Sequence, residues 1–165
     1  MKKNLTIEAE LDKLDSVLAV VDEMLEAADC FPKVQIQLDI AVEEIFVNIA
    51  HYAYEGKQGV AEIEIRIGDA AELLTDWVSE GAHLYAHEGE TTDVVNSLTG
   101  PVFMMSFQDS GFAFDPLSKP DPDVTLPAEE REIGGLGIFM VKKSMDAVKY
   151  ERKDDKNIFT LVKSI

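Results

Sequence analysis

The sequence predicts an α+β fold: a two-layer α/β sandwich with a mixed, mainly antiparallel sheet. Three observations carry this expectation. Apolar residues recur at helical spacing through the first third of the chain, and strand-like alternation dominates the rest. The strands are joined mostly by hairpins, which points away from a doubly wound sheet.

The elements follow in order. Leu5 and Ile7 alternate with polar residues as in a short strand, and Leu11, Leu14, Leu18, Val21 and Leu25 then repeat at helical spacing to about Ala28. Pro32 separates that helix from a second, expected from about Val34 to Tyr54 and closed by Gly56 and Gly59. VAEIEIRIG, Val60 to Gly68, alternates almost perfectly and predicts a strand with one buried face; VFMMSFQD, Val102 to Asp109, predicts another. Pro116, Pro120, Pro122 and Pro127 exclude regular structure from the next stretch. A glycine-opened helix follows in IGGLGIFMVKKSMD, and two strands around a turn near Asp154 to Lys156 close the chain. No internal repeat is visible.

Composition bounds the function. The chain has 165 residues, 46% of them hydrophobic and 28% charged, as expected of one domain with a sizeable core spanning 1–165. Cys30 is the only cysteine, so no internal disulfide forms and a reducing compartment is expected. Glu8, Glu10 and Asp12 interrupt the opening segment, which predicts neither a signal peptide nor a membrane span; a cytoplasmic protein is expected. A net charge of −17 repels phosphate backbones and anionic membranes, so the partner should be a protein or a small ligand, with no direct nucleic-acid or membrane binding.

Three segments carry chemistry. In EEIFVNIAHYAYEG, Glu44, Asn48 and His51 stand at i, i+4 and i+7, a polar stripe on an otherwise apolar helix. Asp109 ends a strand two residues before Gly111, leaving a carboxylate beside a turn, where it can accept from an exocyclic amine or simply close the turn. Gly134, Gly135 and Gly137 open a helix, which suits either a phosphate cradle or a plain glycine-rich turn. No strand directly precedes these glycines and no Gly-Lys-Ser/Thr follows, so neither a Rossmann nor a Walker A site is expected.

The Glu-x-x-x-Asn helix, the strand ending in Asp-x-Gly, and a proline-rich loop leading to GGLG together resemble the GHKL ATPase superfamily with its Bergerat fold, the histidine-kinase-like ATPase domain. The short length, the N-terminal strand and helix, FDP and GGLGIFMVKKSMD look most like the anti-sigma factor serine/threonine kinases. That resemblance implies ATP and Mg²⁺ as cofactors. It implies Asn48 as the Mg²⁺ ligand, Asp109 as the adenine reader with Gly111 in the same box, and Gly134, Gly135, Leu136 and Gly137 as the phosphate cradle. It also implies Thr160 near adenine and an ATP lid at about 115–134, mainly Leu117 to Glu132. The partners implied are a STAS-type antagonist, phosphorylated on serine, and a sigma factor that is sequestered; a homodimer is a further assembly open to the chain. A detached histidine-kinase catalytic domain fits less well, because a phosphoacceptor-helix region is lacking.

Group chemistry adds roles. Glu44, one turn before Asn48, is placed to accept the proton of a serine or to orient a water, and Glu43 points about 100° away. His51 either touches phosphate or is a partly buried helix histidine, and Arg131 either neutralises the γ-phosphate or solvates the lid. A pure binding module gated by ATP is the alternative to the kinase, and Glu44 favours the kinase because binding alone needs no base. The segment from about 69 to 100 is an insertion between two strands, with seven acids, no Lys or Arg, and the only tryptophan, Trp77. Both a partner-binding appendage and a folded-back cap are open to it. His83 and His87 stand at i, i+4, as helix-borne zinc ligands can, but no third ligand accompanies them.

Overall fold

Period-two burial organises the sheet. The computed structural model describes residues 1–87, 89–122, 125 and 136–165. Strand β1 (Lys2–Glu8) pairs with β2 (Val60–Asp69), in which Ala61, Ile63, Ile65 and Ile67 are buried while Glu62, Glu64 and Arg66 stand on the opposite face. With β3 (His83–Ala86), β4 (Pro101–Asp109), β5 (Ala147–Lys153) and β6 (Lys156–Ser164) the strand order is β1-β2-β4-β6-β5-β3. Every pairing among the described residues is antiparallel. The β5–β6 hairpin turns on Asp154 and Asp155, both at positive φ (50° and 59°), as a two-residue primed turn requires.

Among the described residues, three helices cover the inner face. A short 3-10 turn, Leu11–Lys13, leads into α1 (Leu14–Ala27). Pro32 is the first residue of α2 (Pro32–Asn48) rather than only a break, since its missing N–H is not needed there. Helix α2 ends in a π-helical turn, Ile49–Ala53. Val17, Val21 and Leu25 of α1 and Leu38, Val42, Ile45 and Phe46 of α2 pack with Ile63, Phe103, Met105, Phe107 and Leu161 of the sheet. Each such large side chain contributes about 1.5–3 kcal/mol of burial. The C-terminal helix, here α5 (Leu136–Ser144), packs beside α2 and buries Val141 in the same core.

One carboxyl interrupts the α1–α2 contact. Among the described residues Asp39 Oδ1 is buried without a hydrogen-bond partner, and its carboxyl is pushed up to about 6 by burial first and then by the neighbouring Asp22 carboxyl. The folded chain therefore binds a proton more tightly than the unfolded chain, a contribution fully present below the ordinary carboxylate pKa and lost as pH rises through about 6. Asp39→Asn is expected to leave stability near pH 4 unchanged and to raise it by about 1 kcal/mol at pH 7.5, after solvent screening. Urea unfolding at the two pH values checks this, and an equal effect at both refutes it.

The insertion is folded back onto the sheet. It comprises α3 (Ala70–Leu73), β3 and α4 (Thr91–Ser97). Ala70, Leu74, Trp77 and Val95 form a second core with Val102, Ala147 and Val162 on the outer face. Of the two readings open to this segment, the architecture is that of a cap. Its strand β3 extends the sheet beyond β5, so His83 lies on a strand and not on a helix.

Candidate functional site

The chain builds a two-chambered cleft between α2, α5 and the adjoining ends of β4 and β6. The first chamber, about 220 Å³, has apolar walls from Ile45, Ile49, Phe107, Ile138 and Phe159 and a polar end at Asp109 and Asn157. The second, about 590 Å³, shares Asn48, Tyr52, Phe114, Pro116 and Ile138 with the first and adds Glu44, Lys119, Asp121, Gly137 and Lys142. One part thus suits a flat apolar ring and the other a charged group.

Asp109 is 7% exposed at the end of β4. Its Oδ1 accepts from the Gly111 N–H at 2.8 Å and from Asn157 Nδ2 at 2.9 Å. Oδ2 accepts no hydrogen bond among the described residues, which leaves one oriented acceptor for an amine on a bound ring. Asn157 lies directly opposite Asp109 across the β4–β6 ladder. It donates also to Phe112 O, and its Oδ1 accepts from the Tyr150 hydroxyl, Arg152 Nη1 and the Phe114 N–H. One amide therefore holds the carboxylate, the following loop and the hairpin in register. Gly111 has a steric reason as well, since a Cβ there would overlap the backbone carbonyl of Ala53; the neighbouring Phe112 N–H donates to that same oxygen at 3.1 Å.

Glu44 and Asn48 line the second chamber side by side, as the helical period demands. The Glu44 carboxylate rests against the start of α5, where a Cβ on Gly137 would overlap Oε2. Burial first, and the neighbouring Glu43 charge second, raise the Glu44 pKa. A carboxylate so raised is a better proton acceptor, and an amide oxygen beside it is a hard donor of the type Mg²⁺ takes. Among the described residues no group of three or more His, Cys, Asp or Glu could hold a metal ion, so a cation here would rely on Asn48, water and the ligand's own oxygens.

Leu136 and Gly137 also line this chamber, at the head of α5. Arg131, Gly134 and Gly135 lie outside the described residues, as does most of the segment expected to form the lid. His51 does not join the cleft: it is exposed, edge-on to the Tyr52 ring at 5.8 Å, and lines neither chamber. The π-helical turn from Ile49 to Ala53 inserts extra residue per turn, so the stripe continues from Glu44 and Asn48 to Tyr52. Thr160 is likewise elsewhere. It stands on the outer face of the sheet, hydrogen-bonded to Ser106 at 2.9 Å and near Trp77, because residues of β6 at even positions point away from Asp109. Asn157, with Phe159 on the same face, is what β6 brings to the site. Strand alternation was the only available signal for it, and β6 obscures that signal by burying residues on both faces.

The family model of the histidine kinase-like ATPase domain matches residues 7–163. Among curated proteins, none matches the chain.

Proposed function

The chain belongs to the histidine kinase-like ATPase domain family of the GHKL superfamily, and from that premise we propose that it is an ATP-dependent serine/threonine kinase of the anti-sigma factor type. Its substrate is then a serine of a STAS-type antagonist in the cytoplasm, and its second partner a sigma factor. The observation that carries this reading is the placement of Glu44 beside Asn48 in the charged chamber, next to an apolar chamber that ends at Asp109.

When bound, Mg²⁺-ATP supplies the phosphoryl group and the counter-charge for its transfer. Asp109 Oδ2 would accept from the exocyclic amine of adenine, since Gly111 and Asn157 keep the carboxylate from turning. Ile45, Ile49, Phe107 and Phe159 exclude water from the ring. Asn48 offers its amide oxygen to the metal. Glu44 accepts the proton of the incoming serine hydroxyl, and its raised pKa suits that task. No helix among the described residues is long and apolar enough to cross a membrane.

The direct test incubates the protein with γ-labelled ATP and a serine-bearing STAS-type protein from the same genome, with phosphoserine read by mass spectrometry. Tight ATP binding without transfer to any such protein would favour an ATP-gated binding module.

Asp109→Asn isolates the adenine contact. The amide oxygen of Asn can still accept from Gly111 and Asn157, so the loop is kept, while its NH₂ is turned toward the ligand's own amine. Two donors then face each other, and ATP affinity is expected to fall by about 1–3 kcal/mol with little change in stability. Calorimetry and thermal unfolding of the same sample separate the two effects; unchanged ATP affinity would remove the assignment of this strand end.

A further inference from the structure

Two side chains of the insertion come up behind the wall of the charged chamber without lining it. On β3, His83 and Tyr85 are two residues apart and pair with Tyr150 and Val148, so both face the helical layer. Tyr85 lies against Lys142 of α5, whose Nζ is 4.4 Å from the ring centroid. His83 Nδ1 is 2.6 Å from an Asp115 carboxylate oxygen, and the other oxygen of Asp115 caps the Leu117 N–H in the turn Pro116–Ser118. Pro116 is a wall of both chambers.

Lys142 is the unusual group. It is 7% exposed, yet it lines the charged chamber with Glu44, Asn48 and Gly137. Among the described residues its partners are Asp121, at 2.5 Å, and the Tyr85 ring. Burying an ammonium is costly unless it is well paired, and Asp121 is itself 37% exposed. An ammonium has three donors, and Asp121 takes one. Lys119 is the other described cation lining the chamber, but it is exposed and stacked over Phe114 at 5.5 Å.

We propose that Lys142 reads the terminal phosphate of the nucleotide, exchanging Asp121 for a phosphate oxygen, and that Tyr85 of the insertion is the positioning residue that fixes its ammonium. This rests on the nucleotide reading above and deepens it, making the insertion a structural part of ligand discrimination. The carboxylate of Asp121 competes with phosphate for the same ammonium, which sets a clear sign for its removal. The aromatic face of Tyr85 holds Lys142 in either partnership, because a ring attracts the cation without competing for its N–H donors.

The test is calorimetric affinity of the full chain for ATP and for ADP, each with Mg²⁺. Lys142→Gln should weaken ATP about tenfold or more, the scale of a lost charged hydrogen bond, and ADP much less. Asp121→Asn, which keeps an amide oxygen to accept from Lys142 but removes the competing charge, should strengthen ATP relative to ADP. Tyr85→Leu should reduce the ATP:ADP affinity ratio and Tyr85→Phe should restore it, a rescue that a purely packing role predicts for both nucleotides alike. If wild-type protein binds ATP but the ratio is the same in all four variants, this inference is overturned and the nucleotide reading stands. If wild-type protein binds neither nucleotide, both are overturned.

Discussion

Replacing Glu44 with Gln is expected to lower phosphoryl transfer by roughly 10²–10⁴-fold while ATP affinity stays near the wild-type value. The substitution keeps size and hydrogen-bonding capacity but removes the proton acceptor. The carboxylate rests on Gly137 at the head of α5, and its pKa is raised by burial and by Glu43. Transfer requires the unprotonated form, so the wild-type rate should fall as pH drops through a value above the ordinary 4.5 for glutamate. That acid limb should vanish in the Gln variant. Asn48→Ala should behave differently, weakening Mg²⁺-dependent nucleotide binding itself because a hard oxygen ligand is lost. The two readouts are phosphate incorporation into the serine partner across pH and calorimetric ATP affinity. Equal transfer in wild type and Glu44→Gln would remove Glu44 from the chemistry and leave a binding module.

Trp77→Ala should destabilise the whole domain by about 3–5 kcal/mol, the range for truncating a large buried aromatic side chain. Trp77 is 3% exposed and packs in the second core with Leu74, Val95, Val102, Ala147 and Val162. Lys149 Nζ lies 5.2 Å from its ring centroid, an added contact that alanine also loses. Its indole N–H is buried without a partner among the described residues, so Trp77→Phe should cost far less than the alanine change: the packing is largely kept and the unpaired donor is gone. Urea unfolding followed by far-ultraviolet circular dichroism measures both variants. A loss below 1 kcal/mol for Trp77→Ala would mean that the insertion hangs on the sheet as an appendage.

Local periodicity determined much of this protein. The alternation in Val60 to Gly68 placed β2 and its buried face, and the stripe through Glu44 and Asn48 placed both on one side of α2, because these patterns arise within a few residues of backbone. Asp109 followed by Gly111 marked the strand end whose carboxylate closes the apolar chamber, and the order of the three motifs indicated the family. Only the tertiary structure decided the rest. Asn157 is 48 residues from Asp109 and meets it through the β4–β6 register, which a strand apolar on both faces does not encode locally. The same register put Thr160 on the outer face, and a π-helical turn exchanged His51 for Tyr52. The acidic insertion could be an appendage or a cap on composition alone; it became a cap because Trp77 found Val102 and Val162, and because β3 found the free edge of β5. Lys142 lies within GGLGIFMVKKSMD, but nothing local in that stretch marks it for the site. Its place beside Tyr85 and Asp121 depends on three segments far apart in the chain, and a contact of that kind is fixed by packing and not by the residues that neighbour it in sequence.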